Sequence, residues 1–152
     1  MTTETAIVRS PGTVHGLAIV EKYEAFQLYA YQILETCPRQ HRVARDVAIA
    51  ALFKPVEDLE HAARSQQPSR LREADAAFAA MRSHLRFLAH PKVRVITVKQ
   101  HATALALLAE PGGMLNAWLA KLEGRARHPA AGKSAAGVSL PASVGRDGQS
   151  GK

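Results

Sequence analysis

A chain of 152 residues is long enough to bury a real core, and one domain is the default expectation. Apolar residues make up 47% of it but aromatic ones only 5%, which disfavours a sheet rich in β-branched and aromatic side chains and favours closely packed helices. A formal net charge of +7 points to an anionic partner, and a lone cysteine, Cys37, excludes an internal disulfide framework and fits a reducing cytoplasm.

Residues 1–14 are small and polar, contain Pro11-Gly12, and read as a flexible N-terminus. No apolar run behind a basic segment marks a leader, and no apolar stretch reaches the length of a membrane span. From about Leu17 to Glu35, the apolar residues Ile19, Tyr23, Phe26, Ala30 and Ile33 advance in helical steps along one face. Pro38 marks a new start, since proline is tolerated in a first helical turn and disfavours helix in the residue before it. A second helix is expected from Pro38 to about Arg64, with Ala44, Ala48, Ala51 or Leu52, Val56, Leu59 and Ala63 inward, and with Pro55 kinking or ending it.

The run Ser65–Ser69 reads as a turn, and Ser69 as the cap of a third helix carrying Leu71, Ala74, Phe78, Met81, Leu85 and Leu88. His90-Pro91 stops that helix. Thr97 and Gln100 form a capping-box pattern, in which each side chain satisfies the other residue's free backbone donor. Val98, His101, Leu105, Leu108, Gly112, Leu115, Leu119 and Leu122 then hold one phase through Pro111-Gly112-Gly113, predicting a single kinked fourth helix. Residues 124–152 lose all period and read as a disordered basic tail. The expected architecture is an all-α, antiparallel four-helix bundle over residues 15–123.

No catalytic or cofactor pattern emerges. Asp58-x-x-His61 is the nearest approach to a metal-ligand pair and is better read as a solvated helix face. His101 falls on an apolar stripe, where a hydrogen-bonded core or interface histidine is the expected role. Cys37 lies near His41, but no third orienting group is readable, so a cysteine packed under the turn is expected. What stands out is positive charge. Residues 68–99 carry Arg70, Arg72, Arg82, Arg86, Lys92, Arg94 and Lys99 against Glu73 and Asp75. The stretch "CPRQHRVARD" (Cys37–Asp46) sets Arg39, His41, Arg42 and Arg45 at a helix start, where the backbone dipole disfavours cations. Single arginines can be merely solvated, with Arg42 offset by Asp46 and Arg72 by Asp75. As a group, Arg39, His41, Arg42, Arg45, Arg72, Arg82, Arg86, Lys92 and Arg94 read as an anion-binding surface. Aromatics that could stack on bases are not interleaved with them. Binding to RNA or DNA is therefore expected to be backbone-driven, insensitive to sequence and strongly salt-dependent.

Three stretches, "VEKYEAFQLYAYQILETCPRQHRVARD" (20–46), "ADAAFAAMRSHLRFLAH" (74–90) and "MLNAWLAKL" (114–122), resemble the accessory variability determinant (Avd) proteins of diversity-generating retroelements. They are similar also to the wider four-helix-bundle family encoded in intervening sequences of 23S ribosomal RNA genes. The resemblance implies a basic helical bundle that forms a homopentamer, binds the retroelement's reverse transcriptase and nucleic acid, and supports mutagenic copying of template RNA without catalysing it. It carries over Arg39, His41, Arg45 and Arg86 as surface contacts, and Trp118 and Leu119 as core or subunit packing. Pro55 and Pro111-Gly112-Gly113 depart from the uninterrupted helices of that family. The alternatives are a stand-alone RNA-binding bundle of the intervening-sequence kind, a small helical enzyme or metal protein, and a peripheral membrane module.

Overall fold

The computed structural model describes residues 11–127, and side chains from residue 18 onward. It contains four α-helices, α1 (Pro11–Glu35), α2 (Arg42–Ser65), α3 (Pro68–Leu88) and α4 (Val98–Arg127), with a 3₁₀ turn at Arg39–His41 before α2. Each helix packs against its two neighbours in a closed square of α1, α2, α3 and α4. The short links make successive helices antiparallel, so the fold is the expected all-α, four-helix bundle. No helix is long and apolar enough to cross a membrane.

Several boundaries differ from the sequence reading, each for a local reason. Helix α1 begins at Pro11, inside the stretch read as flexible, because proline suits a first helical turn. Arg39 and His41 belong to the 3₁₀ turn and not to the second helix, whose first residue is Arg42. Helix α3 starts at Pro68 with Gln67 as its cap, so Ser69 lies within the first turn. Between α2 and α3, Gln66 takes a left-handed conformation at φ 53° and its amide donates to the Ala62 carbonyl at 2.8 Å, closing the helix without a glycine. Helix α4 is one helix through Pro111 and runs four residues into the stretch read as tail. Arg125 and Arg127 in its last turn complement the negative end of the helix dipole. The capping box forms in both directions: Thr97 N donates to Gln100 Oε1 at 2.9 Å and Gln100 N to Thr97 Oγ1 at 3.1 Å. The remainder of the expected N-terminal segment and tail lies outside the described residues.

The core seams of α1 and α3 are those read from the sequence, from Ile19 to Ile33 and from Leu71 to Leu88. In α2 and α4 the seam is as read at Ala48, Leu52, Leu59, Leu108, Gly112, Leu115 and Leu122, and departs by one residue at a few other positions. Pro55 and Ala62 are buried where Val56 and Ala63 are only partly so, and Ala104 and Trp118 replace Leu105 and Leu119. Val98, read as core, is 79% exposed at the start of α4. Both prolines are buried in mid-helix, Pro55 where Val56 was expected and Pro111 beside Gly112, which is buried as read.

Asp58 corrects another reading. It is not on a solvated face but buried, with Lys54 Nζ 2.7 Å from Oδ1 and its Oδ2 without a partner among the described residues.

One side chain ties three helices. Tyr23 of α1 is fully buried and stacks on Phe78 of α3, with ring centroids 5.1 Å apart and planes 8° apart. Its hydroxyl donates to the Leu52 carbonyl of α2 at 2.8 Å, and Gln27 Nε2 donates to the same oxygen at 3.2 Å. Burial pushes the Tyr23 phenol well above its ordinary range, so it remains a donor.

Tyr23→Phe is expected to lower unfolding free energy by about 1 kcal/mol, the net worth of a hydrogen bond, while leaving helix content intact. The gap is expected to narrow above pH about 10, where the unfolded tyrosine ionises but the buried one does not. Urea unfolding of both proteins at neutral and alkaline pH checks this.

Candidate nucleic-acid interface

An up-and-down bundle puts alternate connections at the same end. The α1–α2 link, residues 36–41, and the α3–α4 link, residues 89–97, therefore lie side by side. Most of the cations singled out in the sequence converge there. Arg39 and His41 occupy the 3₁₀ turn, Arg42 and Arg45 the first turns of α2, Arg86 the last turn of α3, and Lys92 and Arg94 the second link. Between Asp75 and Glu110 the sequence contains no acidic residue at all. Arg72 does not join them. It lies near the start of α3, at the opposite end, and pairs with Glu123 of α4, not with Asp75 as the spacing suggested. Arg82 sits about one helical turn below Arg86 along α3.

The cations at this end are not equivalent. Asp46 answers two of them: Arg45 donates through Nε and Nη2 to its Oδ1 at 2.9 and 2.8 Å, and Arg42 Nε stands 3.7 Å from its Oδ2. Helix α2 has no acidic residue in its first turn and no side-chain cap, so Asp46, one turn in, supplies the compensation. Arg39, Arg82, Arg86, Lys92 and Arg94 have no carboxylate within ion-pairing distance among the described residues.

Both links are held in shape. In the second, Ile96 is buried as an anchor, and the Val95 and Ile96 amides both donate to the Leu88 carbonyl. Arg94 takes φ 52° and donates from Nε to the Pro91 carbonyl at 2.7 Å. The first link closes through the Cys37 amide on the Leu34 carbonyl at 3.1 Å. Cys37 is half-buried as expected, its Sγ 3.8 Å from the His41 carbonyl oxygen, while the His41 ring meets Gln40 Nε2. Burial pushes the thiol up, with Arg45 acting against it.

Aromatic side chains do reach this end, contrary to the sequence reading. Tyr31 in the last turns of α1 is 39% exposed, and Phe87, 57% exposed, follows Arg86. The reading failed because α1 is acidic along its length, yet its C-terminal end folds back beside the basic start of α2. His101 was also read too simply. It is half-buried, its Nε2 has no partner among the described residues, and its ring lines a cleft with Arg82 and Arg86. Among the described residues, no three His, Cys, Asp or Glu side chains gather where they could hold a metal ion.

These features define a class: a small, basic, antiparallel four-helix bundle whose charge is concentrated at one end. A family model described as bAvd-like matches residues 17–122, most of the described residues, and the protein belongs to that family. A search of curated proteins finds no match.

Because Asp46 neutralises two arginines, Asp46→Asn is expected to strengthen binding to a single-stranded RNA. It is also expected to steepen the salt dependence by about one counterion. Fluorescence anisotropy over a series of salt concentrations, with circular dichroism to confirm unchanged helicity, checks this.

Proposed function

We propose that this chain is a non-catalytic accessory subunit of a diversity-generating retroelement. In this reading it binds the element's reverse transcriptase and nucleic acid, and mutagenic copying of the template RNA into cDNA depends on it. Membership of the bAvd-like family over residues 17–122 carries the proposal. The basic end supports it chemically: arginine forks and lysines suit phosphate groups, and Tyr31 and Phe87 offer faces to unstacked bases. Contact is made to backbone and base faces, so sequence preference is weak and salt dependence strong.

The protein acts as a homopentamer in this reading. Leu28 on α1, with Val43, Val47 and Phe53 on α2, are 50–79% exposed, and apolar area of that kind on neighbouring helices suits burial between subunits.

The test is reconstitution from the gene's own locus. Flanking DNA is expected to encode a reverse transcriptase and a repeat pair differing mainly at adenines. The tagged chain is expected to co-purify with that enzyme and its template RNA, and adenine-substituted cDNA is expected only when the chain is present. A flanking 23S ribosomal RNA gene without a reverse transcriptase contradicts the proposal, as does unaltered mutagenic copying by the enzyme alone.

A further inference from the structure

We infer that His41 and His90, one on each link of the basic end, couple nucleic-acid binding to proton uptake, so that this surface holds a polyanion more tightly as pH falls. The inference rests on the nucleic-acid reading of this end and adds to it how the binding is controlled. Five histidines lie among the residues whose side chains are described, and four of them, His41, His84, His90 and His101, are at the basic end. His84 and His101 are half-buried on helices, and Nε2 of His101 is closed to solvent, which leaves the two on the links to take up a proton. His90 is exposed, and His41 stands partly exposed in the 3₁₀ turn.

Each link uses its imidazole as a hydrogen-bond acceptor. The Lys92 amide donates to His90 Nδ1 at 3.2 Å. Gln40 Nε2 stands 3.1 Å from His41 Nε2, and an amide nitrogen can only donate, so the ring nitrogen accepts. An accepting ring nitrogen carries no proton, so both rings are neutral in this arrangement. Adding a proton changes more than charge. At His90 it sets a new ring donor against the Lys92 N–H, so the two part and the link gains a ring donor and a free backbone donor together. At His41, rotation of the Gln40 amide turns its oxygen toward the new N–H, so the turn keeps its bond while gaining the charge. A phosphate beside an imidazole favours the protonated form, and by linkage the protonated form then binds the polyanion more tightly.

The surroundings supply little competing negative charge. Helix α1 ends on Glu35, with Tyr31 one turn before it, and the first link adds Cys37 and Arg39. Helix α2 brings Arg42, Arg45 and Asp46, whose carboxylate is taken up by those two arginines. His90 has Arg86 of α3 before it, Lys92 and Arg94 on its own link, and Lys99 of α4 beyond. On these last elements an imidazolium at His90 finds no carboxylate, so a bound phosphate is the counter-charge available to it.

The test is fluorescence anisotropy of a labelled oligouridylate, whose base does not titrate in this range, with the full-length chain from about pH 8 to about pH 5 at fixed ionic strength. The wild type is expected to bind about tenfold more tightly at the lower limit, the equivalent of one proton held tenfold more firmly in the complex. Its salt dependence is expected to steepen there by about 0.7 in log–log slope for each imidazolium that meets a phosphate. H41Q/H90Q is expected to match the wild type at the upper limit and to lose most of the rise, whereas H61Q, on the other half of α2, keeps it. Glu35 and Asp46 also lose charge toward the lower limit, but the double variant retains both acids, so the difference between the two proteins isolates the imidazoles. Circular dichroism at both limits checks that helix content is equal. Absence of binding at every pH removes the nucleic-acid reading and this inference with it. Binding that is equally tight at both limits, or a rise that H41Q/H90Q leaves intact, overturns the inference alone.

Discussion

Everything at the basic end of this bundle depends on the helices holding a fixed register, and the contact that fixes it is Tyr23. Its ring stacks on Phe78 across the diagonal of the square, and its hydroxyl takes the Leu52 carbonyl of the adjacent helix. A purely apolar core of alanine and leucine has no directional contact to stop one helix sliding past another. A buried hydroxyl aimed at one carbonyl does, because any slip leaves both groups without partners in a low-dielectric interior. Gln27 donates to the same carbonyl, so two side chains of α1 hold one point of α2.

With the register set, the topology brings the charges together. Residues 39–45 and 82–99 are far apart in sequence, yet alternate links of an up-and-down bundle share an end. Self-repulsion there is reduced unevenly. Asp46 takes up Arg42 and Arg45, while Arg39, Lys92, Arg94, Arg86 and Arg82 have no acidic neighbour within ion-pairing distance among the described residues. A surface left unbalanced in this way costs folding energy that natural sequences readily remove by placing an acid nearby. The polyanion proposed to bind there would supply the missing charge. Arg82 and Arg86, four residues apart on α3, are held near each other by helical spacing.

Much of this was legible in the sequence, because 3,4 periodicity and end signals depend only on local chemistry. Ile19 through Ile33 and Leu71 through Leu88 fall inward as their spacing requires, and Thr97 with Gln100 caps as its pattern requires. What local pattern could not supply was set by packing. Pro55 and Pro111 are buried in mid-helix, and single seam positions depart by one residue, with Ala62 buried in place of Ala63 and Trp118 in place of Leu119. Asp58 is held inside by a lysine one turn earlier, a pairing visible as i,i+4 spacing but not as burial. Arg72 finds a partner 51 residues away rather than three. The site was legible as a list of cations but not as a place. Its arrangement, and Tyr31 beside it, appear only when the helices are set against each other, whereas Phe87 follows Arg86 directly in the sequence and could have been read there.

The central claim is that nucleic acid occupies the end of the bundle where the two links meet. Photo-cross-linking of thiouridine-substituted RNA to the full-length chain, with the modified peptides located by mass spectrometry, tests it most directly. Among the described residues, the account predicts cross-links in 31–46 and 82–101, suppressed by added salt. Cross-links gathered instead in 57–75 or 110–127, at the middle and far end of the bundle, would contradict it.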